Sequence, residues 1–171
     1  DNRRQRQMCI RDSRGSIGSQ QALGRRRRSR GEIDVVLWRL VDRVAGRMRR
    51  AGRVGRTITV RLRFDDLSRA TRSSSLPDAT SATAMIHATA TGLIDTAWPL
   101  IEERGISLLG VSVGNLADTD AVQLALPFER CEADELDTVL DAVRERFGQR
   151  SLRRATTLAG DPGIQLPMLP D

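Results

Sequence analysis

Apolar residues return at two different spacings along this chain, and the switch between them lays out its elements. Over residues 32–51, Ile33, Val36, Leu37, Leu40, Val41, Val44 and Met48 recur every three or four positions, which predicts a helix with one apolar stripe. Arg39, Arg43 and Arg47 share another face of it, expected to be its solvated side. Gly52 and Gly55 break the pattern. Residues 57–64 (TITVRLRF) then alternate, with Ile58, Val60, Leu62 and Phe64 to one side and Thr57, Thr59, Arg61 and Arg63 to the other. Asp65-Asp66 reads as a turn, and 69–76 (RATRSSSL) as an antiparallel return strand with almost no apolar side chains. That strand offers hydrogen-bond donors instead: Arg69, Thr71, Arg72, Ser73, Ser74 and Ser75.

A second helix is predicted over 80–104, with Ala82, Ile86, Ala90, Leu93, Ala97 and Ile101 inside, a kink at Pro99 and Gly105 as its cap. Residues 106–116 (ISLLGVSVGNL) alternate again, Leu109, Val111 and Val113 inward and Gly110, Ser112 and Gly114 outward. Ser16 to Leu23 makes a short first strand, followed by a basic loop at Arg25–Arg28 and Arg30. The order is β-α-β-β-α-β. It predicts an α+β fold, a four-stranded sheet with two helices on one face and the other face open, plus a C-terminal helical tail. The tail helix is expected over 135–148, with Leu136, Val139, Leu140, Val143 and Phe147 as its packing side. Residues 1–14 show neither period and read as disordered or artefactual, since MCIRDS resembles translated sequencing-adaptor DNA.

Charge changes this picture. The 171 residues carry 28 basic and 22 acidic side chains, and every basic one is Arg. Residues 1–76 hold 21 Arg against 7 Asp and Glu, a balance of +14; residues 77–171 hold 7 against 15, a balance of −8. One basic half points to a polyanionic partner on one side of the molecule. An open sheet face rich in donors and poor in aromatics suits the backbone of a duplex better than the stacked bases of a single strand. One histidine, His87, near an apolar stripe, and two cysteines, Cys9 and Cys131, leave little for acid–base catalysis, a disulfide framework or a zinc site. No apolar run approaches the ~20 residues of a membrane span and no signal peptide is present, so the expectation is a cytoplasmic monomer without a membrane partner.

In order, SIGSQQALG, GRTITVRLRFDDLSRATRSSSL, LLGVSVGNL and QLALPF resemble the little-finger domain and tail of Y-family DNA polymerases, above all DNA polymerase IV of the DinB type from actinobacteria. The likeness covers residues 15–171. It implies an error-prone translesion polymerase as the parent chain, a little finger lying in the major groove of primer–template duplex, and two magnesium ions held by palm-domain carboxylates. No cofactor is expected in the present segment, and no catalytic or metal-binding residue; Asp65-Asp66 lies in a hairpin turn and matches no metal-binding carboxylate pair of the family. The candidate DNA-contacting residues are Arg61, Arg63, Arg69, Thr71, Arg72, Ser73 and Ser74, with Ser16 and Gly18 of the first strand and Ser112 of the last. The expected division is 15–117 as the DNA-binding domain, 118–131 as a linker and 132–171 as helix and tail.

QLALPF resembles the hexapeptide by which bacterial polymerases dock on the β sliding clamp. Gln123 can hydrogen-bond at a pocket rim, Leu124, Leu126 and Phe128 are apolar anchors, and Pro127 stiffens the peptide. Three anchors at about 1.5–3 kcal/mol each, less the cost of ordering, imply micromolar or weaker binding. The alternative is a polymerase-like adaptor without active carboxylates. A free-standing enzyme finds no Ser-His-Asp set, P-loop or GxGxxG here, and a generic RNA-binding module leaves the hexapeptide unexplained.

Overall fold

A computed structural model describes residues 15–119, 132–148, 151, 152 and 155. Its elements are β1 (Ser16–Ala22), α1 (Arg30–Arg50), β2 (Arg53–Arg63), β3 (Arg69–Thr80), α2 (Thr83–Arg104), β4 (Leu108–Asp118) and α3 (Glu132–Phe147). The strands form one sheet in the order β1-β4-β2-β3, with every neighbouring pair antiparallel. Because β4 returns between β1 and β2, the last strand of the repeat is central, and β1 and β3 form the edges.

The predicted apolar positions build one core. Ile58, Val60, Leu62 and Phe64 of β2 and Leu109, Val111 and Val113 of β4 are buried against Ile33, Val36, Leu37, Leu40, Val41, Val44 and Met48 of α1. Complete burial of such side chains stabilises by about 1.5–3 kcal/mol each, which commits both helices to this side of the sheet. Helix α1 starts at a capping box: Ser29 Oγ accepts from the Glu32 N–H at 3.3 Å, and the Ser29 N–H donates to Glu32 Oε2 at 2.8 Å. Helix α2 ends at Gly105, whose φ of +69° suits a residue without Cβ and whose N–H donates to Ile101 O at 2.9 Å. Pro99 lies inside α2, which runs on to Arg104.

Several expectations need correction. The inner stripe of α2 runs through Ile94, with Leu93 only partly buried. Arg43 is half-buried rather than solvated and donates to Ser19 Oγ at 3.0 Å, while Arg47 is exposed as expected and also donates to Gly18 O at 3.1 Å. Burial, then the neighbouring Arg47 charge, holds the Arg43 pKa below its ordinary value. Helix α3 packs on a shifted face: Leu136, Val139 and Phe147 are 49%, 59% and 67% exposed, Leu140 and Val143 are half-buried, and Asp137 and Arg144 are buried. His87 stacks on Trp38 with ring centroids 3.6 Å apart, and its Nε2 meets Asp34 Oδ1 at 3.1 Å, a structural contact between α1 and α2.

Candidate nucleic-acid interface

The face away from the helices can be read row by row from the strand register, going across β1, β4, β2 and β3. Ser16, Gly114, Thr57 and Ser75 form the first row, and Gly18, Ser112, Thr59 and Ser73 the second. Gln20, Gly110, Arg61 and Thr71 form the third, and Ala22, Leu108, Arg63 and Arg69 the fourth. In these four rows three arginines, several hydroxyl side chains and three glycines stand together with no carboxylate and no aromatic ring; the β2–β4 pairing runs on to Arg53 and Asp118, an ion pair at 3.1 Å. The arginines crowd the two rows nearest the β2–β3 turn. Near β1 and β4 the surface falls to backbone level, because a Cβ on Gly18 would come within 2.8 Å of Ser112 Cβ and 3.0 Å of Val111 O.

Arg61 and Arg69 are exposed, and neither guanidinium is bonded to another described residue. Arg63 is half-buried and donates from Nε to Ser107 Oγ at 3.3 Å, which fixes its stem and leaves the fork at the end of the sheet. Thr57 Oγ1 meets Ser75 Oγ at 3.0 Å and accepts from Asn115 Nδ2 at 2.8 Å, so the hydroxyls at the far end are tied to one another. Free arginine forks beside a smooth, uncharged floor can grip phosphate oxygens while the floor admits the sugar–phosphate chain.

The structure brings together eight of the ten candidates: Arg61, Arg63, Arg69, Thr71, Ser73, Ser16, Gly18 and Ser112. Arg72 and Ser74 do not belong with them. They pair with Val60 and Ile58, whose side chains face the helices, and strand alternation sends their own side chains that way too. Arg72 escapes burial because β3 is an edge strand, and its Nη1 donates to Thr71 O at 3.1 Å. The candidate set omits Gln20, Thr57, Thr59 and Ser75, which counting in twos from Arg61 and across the register adds to the face. Gln123, Leu124, Leu126 and Phe128 lie outside the described residues.

The basic loop after β1 extends the arginine rows. Leu23 N–H donates to Ser107 O, and Ser107 N–H donates to Arg63 O, both at 2.8 Å, so the loop begins beside the fourth row. Three of its arginines are used internally: Arg26 pairs with Glu32 at 2.5 Å, Arg28 Nη2 donates to Leu23 O at 2.5 Å, and Arg30 pairs with Asp95. Arg25 and Arg27 are exposed with no bond to another described residue. The two adjacent carboxylates differ, and Asp65 Oδ1 is buried without a hydrogen-bond partner among the described residues. Asp65 packs against Gly105, and Asp66 accepts from the Ser68 hydroxyl at 2.5 Å and the Ser68 N–H at 2.9 Å, bonds that hold its pKa below the ordinary carboxylate value. Among the described residues no group of three His, Cys, Asp or Glu is placed to hold a metal ion, and no helix is long and apolar enough to cross a membrane.

Residues 14–126 match the impB/mucB/samB family C-terminal domain. DNA polymerase IV 2 of Mesorhizobium japonicum is 36% identical over 168 residues, covering 91% of this chain and 40% of that protein. DNA polymerase IV of Moorella thermoacetica is 38% identical over 146 residues, covering 85% of this chain and 36% of its own length. The chain therefore spans well under half of these curated relatives. The fold is similar to a post-insertion binary complex of Dbh DNA polymerase, with a TM-score of 0.54 at 16% identity over 60% of this chain and 29% of that one. By the family match over residues 14–126, this chain belongs to the impB/mucB/samB family and carries its C-terminal domain, the part in which it is similar to these DNA polymerase IV relatives.

Proposed function

We infer that this chain is the duplex-binding and clamp-tethering end of an error-prone translesion polymerase. Residues 15–117 bind primer–template DNA through its phosphates, 118–131 carry the clamp-docking hexapeptide, and 132–171 form the helix and tail. One observation supports DNA binding above the others: the four rows of the open face nearest the β2–β3 turn hold Arg61, Arg63 and Arg69 with no carboxylate. Such a face attracts phosphate without reading bases, which is what a domain that follows a moving primer terminus requires. Clamp docking is supported by the hexapeptide Gln123–Phe128. Nucleotide transfer, and the magnesium it uses, belong in this reading to palm carboxylates of the parent chain.

Fluorescence anisotropy with a labelled duplex tests the DNA reading. The chain binds duplexes of unrelated sequence with similar affinity, and Arg61→Glu with Arg69→Glu abolishes binding; an undiminished affinity in that variant overturns it. A labelled peptide of residues 120–131 tests the clamp reading. It binds the clamp, and Gln123→Ala with Phe128→Ala removes that binding; equal affinity after both changes rejects it.

A further inference from the structure

Strand β1 is an edge of the sheet, paired with β4 alone, so its far side leaves backbone acceptors without a ladder partner. Two arginines of α1 close that side. Arg47 donates from Nη1 to Gly18 O at 3.1 Å, and Arg43, one turn earlier, donates from Nη1 to Ser19 Oγ at 3.0 Å. Gly18 stands in the second row of the open face, whereas Ser19 is buried on the helix side. The pair therefore reaches round the rim of β1, from the helix layer to the floor made by Gly18, Ser112 and Gly110.

Packing does not account for both charges. One N–H satisfies each acceptor, and a neutral amide or hydroxyl supplies as much. Like charges four apart on a helix repel each other, and after burial it is the Arg47 charge that holds the Arg43 pKa below its ordinary value. Neither arginine pairs with a described carboxylate, and Arg47 stays exposed, with Nε and Nη2 bonded to no other described residue. Across the floor stand Arg61 and Arg69. The backbones at Gly18 and Arg61 are two strand spacings and two residues apart, ~12 Å by ordinary sheet dimensions. The major groove of B-DNA is ~12 Å wide. We propose that Arg47, backed by Arg43, is a second phosphate grip: it holds one backbone of the duplex at the β1 rim while Arg61 and Arg69 hold the other. This rests on the duplex reading above and goes beyond it. One row of arginines binds a single backbone, whereas two rows a groove apart recognise the double helix by its width.

Anisotropy titrations of the full chain over a range of salt test this. Arg47→Gln weakens binding to an intact duplex about fivefold near physiological salt and lowers the slope of log K against log salt by ~0.9, the share of one phosphate. Arg47→Lys keeps the charge and keeps the slope. An unchanged slope in Arg47→Gln, whatever its melting temperature, leaves the residue as a cap on the strand edge and overturns the grip. The second arm uses a duplex with one strand made entirely of methylphosphonates, so that only one backbone is charged. There Arg61→Gln still weakens binding, because the arginine end of the sheet takes the charged strand, while the effect of Arg47→Gln disappears. A loss from Arg47→Gln that persists on the half-neutral duplex puts both arginines on one backbone and overturns the second grip. Failure of the unaltered chain to bind the intact duplex overturns the duplex reading, and the grip with it.

Discussion

Arg61 and Arg72 differ by one step of strand alternation, and that step separates their roles. Arg61 stands opposite Thr71 on the open face, whereas Arg72 stands opposite Val60 and points past the edge on the helix side. Arg61→Glu alone is therefore expected to weaken duplex binding at least tenfold, about 1.4 kcal/mol, and Arg72→Glu severalfold less. Equal losses in titrations at matched salt would count against the assignment of faces. At the start of α1, Glu32 is held below its ordinary pKa, first by the Ser29 N–H bond and then, against opposing burial, by Arg26. Because its folded pKa is the lower one, its stabilisation is present above the ordinary glutamate range and is lost as pH falls through the folded value. Thermal melts of the unaltered chain and Glu32→Gln should differ at neutral pH and converge in acid. Ser29→Ala removes the other half of the box and costs about 1 kcal/mol.

At the scale of elements, the loop between β1 and α1 divides by function although it reads as a single arginine run. Arg28 caps Leu23 O and Arg26 meets Glu32, while Arg25 and Arg27 point away with no described partner. Replacing Arg25 and Arg27 with Ala is expected to leave the melting temperature unchanged and to lower the slope of log K against log salt by about 1.8, at ~0.9 for each phosphate no longer neutralised. An unchanged slope assigns both to solvent. The core strands and α1 are legible in the sequence, because Ile58, Val60 and Leu62 or Ile33, Leu37 and Leu40 need only their own spacing to declare a buried side. Helix α3 is not. Its stripe of Leu136, Val139 and Phe147 mimics a packing face, and the outcome turns on Arg49, whose partners Asp137 and Asp141 lie 88 and 92 residues further on. Among neighbouring arginines, nothing local marks Arg49 as the one that is enclosed. The sides taken by Arg72 and Ser74 are within reach by counting in twos from Arg61; a strand so poor in apolar residues has no stripe to prompt the count.

Over the whole molecule, the charge is sorted along the sheet as well as along the sequence. Arg61, Arg63 and Arg69, extended by Arg25 and Arg27, gather at one end of the open face, while Asp137, Asp141 and Asp42 are consumed around Arg49 and Arg144 on the helix side. Positive potential therefore faces outward where duplex would lie, and these carboxylates, which could cancel it, are turned inward. Three to five phosphates neutralised by this group imply a slope of log K on log salt between about −2.7 and −4.5, so raising salt from 50 to 200 mM should weaken duplex binding by roughly 40- to 500-fold. Single-stranded DNA offers bases that need aromatic platforms, and the open face has none; its binding should be weaker at every salt concentration and shallower in slope, ~0.7 per phosphate neutralised. Anisotropy titrations of one labelled strand, alone and annealed to its complement, over that salt range measure both quantities. A slope of zero for the duplex, or tighter binding of the single strand, would mean that the arginine rows do not meet phosphate. Because Thr119 leaves from the other end of the sheet, saturating duplex should leave the clamp affinity of the full chain unchanged within about twofold, and mutual competition would place both partners on the same surface.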